Sequence, residues 1–281
     1  MSITTLDGAL AGVQWPRFFT KGISSLSFVA GRPHSTWQQA GNPGVGFATS
    51  GSGQPGDALS STLAAVDGQI PFSNPAAGNS YLARFQAACT QPGTLILADR
   101  LWQNATLSVT TTGTYPTGKQ SFSSATFPTR DNAGTSNGAG VLIGMEVTSA
   151  LGSGTPTLTI DYTNQSGTAG RTATNAFAMS SSSPIGTFIP FGLQAGDTGV
   201  RSVEAFHTSA TMTSGAISLV AYRPLAALEL TGAYVPNALD AITGGFPRLF
   251  DGSVPFLIFV PAVATSSLAN NISGQVVWTQ G

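Results

Sequence analysis

Charged side chains are scarce in this chain: Asp, Glu, Lys and Arg make up 8% of its 281 residues. Ordinary globular domains contain about 25%. Hydrophobic residues nevertheless account for 41% of the chain, and 34 residues are glycine. Disordered chains show the opposite combination, low hydrophobicity with high net charge. We therefore expect a folded chain whose surface is built from Ser, Thr, Gly, Ala and Asn rather than from charges.

Two classes of folded protein keep such a surface. One is secreted β-proteins, and the other is building blocks that lose much of their surface to neighbouring subunits. The stretch from Met1 to Arg17 lacks a basic region followed by an apolar one, so we expect no secretory signal. The single Cys89 cannot form an internal disulfide. The second class is therefore the leading interpretation.

The net charge and the length of the apolar runs also limit the kinds of partner that we expect. A formal net charge of -1 gives no long-range attraction to nucleic acid or to an anionic membrane. The best apolar run, Phe256 to Val260, is far shorter than the ~20 residues of a membrane span. We therefore expect neither nucleic acid nor a membrane as partner. A virus particle protein, assembled in the host cytoplasm and working outside after lysis, satisfies all of these conditions and would be located in the virion.

Residues 1–94 are predicted to be an irregular N-terminal arm. Gly, Pro, Asn and Ser occupy nearly every second position from Gly41 to Gly56, which indicates a loop. Two short helices are predicted to follow, over Asp57–Val66 and Ser80–Cys89, each with its first residue as the cap. In the second helix, the apolar residues at helical spacing are Leu82, Phe85, Ala88 and Cys89.

Residues 95–230 are predicted to form an antiparallel β-sandwich of jelly-roll-like type. Apolar residues alternate with their neighbours there, as on strands with one buried face. Loops rich in Gly, Ser, Asn and Pro separate the alternating segments. The apolar positions are Leu107 and Val109; Val141, Ile143, Met145 and Val147; Leu158, Ile160 and Tyr162; and Ile217, Leu219 and Ala221. The predicted fold class is mainly β.

Residues 231–281 are predicted to be a strand-rich C-terminal extension that packs on the body or on a neighbouring subunit. A continuous apolar run lies between Pro255 and Pro261, which is typical of a strand buried on both faces. The last strand is predicted over Gln275–Gln280. Trp278 lies in this strand, and an aromatic residue so close to a terminus indicates docking rather than fraying.

Residues suited to catalysis are scarce. His34 is predicted to be a loop residue, His207 a surface residue at a strand end, and Cys89 a buried apolar residue. Gly134 to Gly138 matches the nucleophile motif of serine hydrolases, but the strand, elbow and helix of that motif are not predicted. Gly51 to Gly56 matches a dinucleotide fingerprint without a preceding strand. We predict no enzyme, no cofactor and no metal site.

The remaining charges include couples of Asp and Arg. The chain has nine arginines against two lysines, a bias typical of interfaces because the planar guanidinium suits ion pairs between subunits. The same couples can equally hold loop ends within one domain, so both interpretations remain open. The couples are Asp99 with Arg100, Arg130 with Asp131, and Asp197 with Arg201.

A series of short elements between Asp99 and Arg223 resembles virion structural proteins of tailed bacteriophages. The resemblance covers somewhat less than half of the chain and implies a particle component rather than an enzyme, without catalytic residues to carry over. The elements are Asp99-Arg100-Leu101-Trp102, Phe127-Pro128-Thr129-Arg130-Asp131, Gly138-Ala139-Gly140-Val141-Leu142, Asp161-Tyr162-Thr163-Asn164 with Gly170-Arg171-Thr172, and the twelve residues from Phe191 to Ser202.

The leading hypothesis is a noncatalytic bacteriophage virion structural protein, and within that class a head decoration or cement protein. It would bind the major capsid protein or other virion proteins, as a homo-oligomer with a trimer favoured. Many weak contacts repeated by symmetry, including strands added at sheet edges, would stabilise the shell. The segment 41–56 is one candidate contact region. The candidate interface residues are Phe18, Phe19, Arg100, Arg130, Asp131, Asp197, Arg201 and Trp278.

Three alternatives remain. A tail, baseplate or fibre-associated protein keeps the virion setting, although fibres normally show repeats or long shafts that this sequence lacks. A carbohydrate-binding β-sandwich requires exposed aromatic residues, for which Trp37, Trp102 and Tyr115 are candidates. A serine hydrolase requires Ser136 as its nucleophile.

Overall fold

The architecture is that of an antiparallel β-protein. A computed structural model describes residues 3–23, 28–46, 56–61, 67–104, 107–110, 119–180, 182–245, 247–264 and 270–281. It is mainly β, with sandwich-like packing of antiparallel strands, which confirms the predicted fold class. The chain divides into two compact units. Unit 1 comprises Met1–Phe47, Ser60–Asp99 and Pro224–Gly281, and unit 2 comprises Ala48–Leu59 and Arg100–Arg223.

The elements are numbered in chain order. The helices in the described ranges are α1 (Leu6–Ala11) and α2 (Ala241–Gly244). The strands are β1 (Arg17–Gly22), β2 (His34–Ser35), β3 (Gly41–Asn42), β4 (Asp57–Ala58), β5 (Ser80–Cys89), β6 (Gly93–Gln103), β7 (Leu107–Ser108), β8 (Gln120–Ser121), β9 (Leu142–Ser149), β10 (Leu158–Asn164), β11 (Arg171–Asn175), β12 (Phe188–Gly192), β13 (Val200–Thr208), β14 (Ala216–Leu230), β15 (Asn237–Asp240), β16 (Arg248–Leu249), β17 (Pro255–Pro261) and β18 (Asn271–Gln280).

Unit 1 contains two antiparallel layers. In the first layer the strand order is β15-β5-β18-β1-β3, and β16 also pairs with β5. In the second layer β17 pairs with β2 on one side and β6 on the other. Both layers contribute side chains to one hydrophobic core, so unit 1 is a β-sandwich. The contributors include Phe19, Phe85 and Trp278 from the first layer and Leu97, Leu257 and Phe259 from the second.

The predicted last strand and its docked aromatic residue are both present in unit 1. The strand β18 is longer than predicted, because it starts at Asn271, and it pairs with β1 on one side and β5 on the other. The Trp278 side chain is 2% exposed, and its ring packs edge-on against Phe72 with the ring centroids 5.8 Å apart. This docking holds β18 in the centre of the layer.

The predicted helix over Ser80–Cys89 is wrong, because these residues form β5 and pair with β18. The register of that pair shifts next to Trp278, so Ala83 has no residue opposite it. Such a bulge inserts one extra residue and reverses the alternation of buried positions along the strand. Leu82 and Phe85 are therefore both buried although they lie three positions apart. Their spacing imitates that of a helix.

Unit 2 is a curled antiparallel sheet around its own core. The strand order runs β14-β9-β12-β11-β10-β13-β8, while β7 pairs with β14 and β4 pairs with β6. Register shifts in the β10–β13 and β14–β9 pairs mark bulges, which add twist and allow a sheet to curl. The core side chains include Trp102, Phe127, Ile143, Met145, Ile160, Phe206 and Leu219.

The alternation seen in the sequence identifies these strands correctly. The three longest alternating segments of residues 95–230 become β9, β10 and part of β14. The apolar run between the two prolines forms β17 in unit 1, where all but one of its residues are buried. A strand buried on both faces is what the unbroken apolar run predicts.

The two units divide the chain differently from the three consecutive segments of the sequence analysis. Residues of the predicted N-terminal arm supply β1, β2, β3 and β5 to unit 1, together with the C-terminal strands. Asp57 and Ala58 form β4 rather than the start of a helix. Residues 62–66 of that helix, and residues 47–55 of the predicted loop and fingerprint, lie outside the described residues.

His34 is buried in unit 1, which corrects its prediction as a loop residue. It lies on β2 opposite Phe259, and its ring packs edge-on against Phe28 with the ring centroids 4.8 Å apart. Burial, together with the charge of Arg32, lowers the pKa of His34 to about 4. The folded chain therefore keeps this imidazole neutral at neutral pH.

Acidification from pH 6.5 to about pH 4 is expected to destabilise the protein through His34. Over this window the unfolded chain binds a proton at the imidazole and the folded chain does not, so the free energy of unfolding falls by roughly 3 kcal/mol. Urea unfolding of the wild type and of His34→Leu at both pH values measures this loss. The variant should lose less stability than the wild type, and equal losses in the two proteins would contradict the assignment.

Candidate functional site

Most of the predicted interface residues lie inside the chain's own fold. The structure leaves Phe18 66% exposed, and Arg201 is also at the surface. The Asp197 side chain is almost completely covered by its hydrogen-bond partners. The remaining candidates, each at most 2% exposed, are Phe19, Arg100, Arg130, Asp131 and Trp278. These five side chains support the chain's interior and present no surface to a second subunit.

Arg100 forms a buried ion pair in unit 2. Its guanidinium donates two hydrogen bonds to Glu146, with nitrogen–oxygen distances of 2.9 and 3.3 Å, and a third to Gln103 at 2.8 Å. Burial lowers the pKa of Arg100, and the Glu146 carboxylate opposes that shift. A charge in the interior requires such a full set of partners. Arg100 therefore links β6 to β9 through the Glu146 carboxylate.

Arg130 also bonds within the chain. One terminal nitrogen donates to the carbonyl of Leu59 at 2.8 Å, and the other donates to the carbonyl of Arg100 at 3.0 Å. A guanidinium can satisfy buried carbonyls in this way because it carries five donors in a fixed fork. Arg130 thus fixes main-chain segments of unit 2.

Asp131 organises the loop that precedes β9. Its carboxylate accepts hydrogen bonds from the main-chain nitrogens of Ala133, Thr135, Gly138 and Ala139 and from the Thr135 hydroxyl. Burial raises the pKa of Asp131, but the hydrogen bonds from Thr135, Ala139 and Ala133 outweigh it and lower the pKa. Ser136 lies in this loop, which leads into a strand. The strand–elbow–helix geometry of a hydrolase nucleophile is therefore not formed.

Asp197 binds Arg171, not the predicted Arg201. The Arg171 side chain donates to it at 2.9 and 3.1 Å, Asn164 donates at 2.7 Å, and the Tyr162 hydroxyl donates as well. These hydrogen bonds, that from Arg171 first, lower the pKa of Asp197 to about 2. The cluster joins β10, β11 and the loop before β13. Asp197 and Arg171 therefore hold chain segments together within one unit, whereas the predicted couple of Asp197 with Arg201 is not formed.

The residues proposed for other chemistry are mostly buried. Trp37 and Trp102 are fully buried, so neither offers a ring to a glycan, and Tyr115 lies outside the described residues. His207 is 7% exposed rather than a surface residue, and burial raises the pKa of Cys89. Within the described ranges, no three His, Cys, Asp or Glu side chains form a group able to hold a metal ion. No described helix is long and apolar enough to cross a membrane.

An exposed apolar groove lies on unit 1 beside α1 and α2. Thr5 caps α1, and Ala9 of this helix is buried, while Leu6 and Leu10, one turn apart, are 65% and 63% exposed. Asp240 caps α2 through a capping box, which leaves Ile242 81% exposed. The groove has a volume of about 500 Å³. Its larger apolar lining residues are Leu6, Leu10, Val13, Ile242 and Val277.

The groove was not predicted from the sequence. Leu6, Leu10 and Ile242 lie in short segments without a sustained apolar pattern, and their exposure depends on which side of each helix faces the sheet. The sequence does contain capping residues that indicate the starts of the two helices. They are Thr5 before α1, and Asp240 with Thr243 at α2. These caps mark two helices but do not reveal their exposed faces.

Similarity to known proteins is found only among solved structures. No protein-family model matches the chain, and no curated protein matches it. Among solved structures, the VP2 subviral particle of infectious bursal disease virus is similar at 11% identity and a TM-score of 0.19, covering 96% of this chain and 81% of that one. A TM-score this low carries no argument about function.

Replacing Glu146 by Ala is expected to lower the free energy of unfolding by about 3–5 kcal/mol, because the Arg100 charge remains buried without its carboxylate. The matched control is Arg201→Ala, which removes an exposed guanidinium and should change stability by no more than about 0.5 kcal/mol. Urea unfolding at neutral pH measures both. A stable Glu146→Ala variant would show that Arg100 is not held in the way described.

Proposed function

We propose that this chain is a noncatalytic structural protein of a virus particle, and specifically a head decoration or cement protein of a tailed bacteriophage. The observation that carries the proposal is the exposed apolar groove of unit 1. Contiguous exposed apolar surface, rimmed by polar residues, is typical of protein–protein contact sites. A subunit that docks in this groove would cover Leu6, Leu10 and Ile242.

The distribution of charge supports a covered surface. The chain has 11 Lys and Arg and 12 Asp and Glu residues. Seven of these are buried in the described structure, so they add nothing to the surface charge. They are Lys21, Asp99, Arg100, Arg130, Asp131, Glu146 and Arg223. A surface with so few charges loses little hydration free energy when a neighbouring subunit covers it.

The groove is also held in shape before any partner arrives. Thr5 accepts a hydrogen bond from the main-chain nitrogen of Gly8 at 3.1 Å, and Thr279 of β18 donates its hydroxyl to the carbonyl of Ala9. At α2, Asp240 accepts from the main-chain nitrogens of Ile242 and Thr243. Contacts that are already ordered lose less entropy on binding. A small groove can then contribute a useful share of the affinity.

Docking into the groove is favoured over strand addition. The strands that end the described strand orders are β2, β3, β8 and β15, and each is only two to four residues long. Short edge strands offer few unpaired main-chain groups to a neighbour. The proposed partner is therefore an apolar segment of the major capsid protein, bound at many symmetric positions of the shell. Repetition would convert weak single contacts into strong attachment, and a cyclic homo-oligomer such as a trimer would multiply it further.

The double variant Leu10→Ser, Ile242→Ser is expected to bind particles that lack the native protein at least about tenfold more weakly than the wild type, because two anchors lose their apolar contacts. Both positions are exposed, so the variant should keep its unfolding free energy. Phe177→Ser in unit 2, where Phe177 is 39% exposed, is the matched control and should bind normally. Co-sedimentation with purified particles measures the occupancy.

Cryo-electron microscopy of the reconstituted particles decides the location. Density for the wild type on the outer capsid shell, at local symmetry axes, is the expected result, with the α1–α2 side of unit 1 against the shell. Density restricted to the tail or its vertex would overturn the cement role. Full occupancy of the double variant would overturn the groove as the contact.

A further inference from the structure

The outer face of the first layer of unit 1 carries a row of neutral side chains. Phe18 of β1 pairs with Gln275 of β18, which in turn pairs with Gln86 of β5. Residues directly opposite each other on neighbouring strands project from the same face of a sheet. The adjacent Phe19 and Phe85 are buried in the core, so the row of Phe18, Gln275 and Gln86 faces outward.

A groove lies along this row. The next outward row consists of Thr20, Ser273 and Ala88, whose side chains are all small. The step from large to small side chains leaves a groove of about 410 Å³. This volume lies in the range of small-molecule sites, roughly 300–1,000 Å³. Pro236 also lines the groove, and none of its lining residues is charged.

The two glutamine amides are held side by side. The Gln86 side-chain oxygen accepts one hydrogen bond from Arg84 at 2.8 Å and another from the Gln275 side-chain nitrogen at 3.1 Å. This arrangement leaves the Gln86 side-chain nitrogen and the Gln275 side-chain oxygen without a partner among the described residues. The groove thus presents a fixed donor next to a fixed acceptor. Neighbouring hydroxyl groups of a sugar, each able to donate and accept, match that pair.

Phe18 supplies the apolar part of the same site. Its ring is 66% exposed and stands opposite Gln275 on the neighbouring strand. An exposed aromatic ring offers a broad apolar surface on which the C–H face of a sugar ring can pack. We propose that this groove, lined by Phe18, Gln86, Gln275, Thr20 and Ser273, is a binding site for a neutral glycan. It does not depend on the function proposed above, because it shares no lining residue with the apolar groove.

A peptide fits this face less well than a glycan. The strand β18, which carries Gln275 and Ser273, pairs with β1 on one side and with β5 on the other, so it has no open edge to which a peptide strand could add. Along this central strand only side chains are offered to a ligand, and the groove combines amides, hydroxyls and one aromatic ring. The neutral lining equally gives no preference for an acidic or basic segment.

The test uses the full-length protein with cellotriose and maltotriose as probes. Isothermal titration calorimetry should show saturable binding of at least one trisaccharide at millimolar concentration or below. Nuclear magnetic resonance of the 15N-labelled protein should show shifts of the Gln86 and Gln275 side-chain amides. Phe18→Ala and Gln275→Ala should each weaken binding by roughly 2- to 10-fold, the value of one neutral contact. The control Phe177→Ala, on unit 2, should bind like the wild type.

Each remaining outcome has a definite meaning. Absence of saturable binding of both trisaccharides would overturn the glycan site. Binding that is unchanged in Phe18→Ala and Gln275→Ala would overturn its location. If Phe18→Ala weakens attachment to particles while neither sugar binds, the face is a protein contact and the proposal fails. The Leu10→Ser, Ile242→Ser variant should bind sugar normally, so the two proposals can fail separately.

Discussion

The cost of removing Arg100 from water governs much of unit 2. An isolated guanidinium in the interior would be prohibitively unfavourable, so the fold must bring Glu146 and Gln103 to it. Those contacts join the end of β6 to β9, and the carbonyl of Arg100 accepts a hydrogen bond from Arg130. Arg130 in turn holds the main chain at Leu59. The two buried guanidinium groups, of Arg100 and Arg130, therefore hold β6, β9 and the main chain at Leu59 together.

The same use of charge recurs in the loops. Asp131 closes the loop before β9 with hydrogen bonds from main-chain nitrogens, and Asp197 gathers Arg171, Asn164 and Tyr162. This chain has a single cysteine and so forms no internal disulfide, and carboxylates fix these loops instead. The consequence appears at the surface. Charges used inside leave an exterior dominated by hydroxyl, amide and apolar groups. The two surfaces proposed for recognition, the groove beside α1 and α2 and the outer face of the first layer of unit 1, both lie on this exterior.

The sequence predicts the fold class and most long strands because period-two alternation is a local signal. It fails at β5, where a bulge places Leu82 and Phe85 on the same side and creates helix-like spacing. A bulge depends on the partner strand, which lies almost two hundred residues further along the chain. The pairing of charges fails for the same reason. Asp197 is close in sequence to Arg201, yet β11 brings Arg171 to it.

The face of unit 1 that carries Phe18 shows why a candidate site is harder to predict from the sequence than the fold class. The sequence singles out Phe18 and Phe19 together, but adjacent strand residues point to opposite faces. Only the pairing of β1 with β18 decides that Phe19 enters the core and Phe18 faces out. The partners that give Phe18 chemical meaning, Gln275 and Gln86, come from distant strands that pairing alone makes neighbours. Local composition can therefore identify a weakly charged β-protein, whereas the surfaces proposed for recognition arise from the long-range register of paired strands and become visible only in the fold.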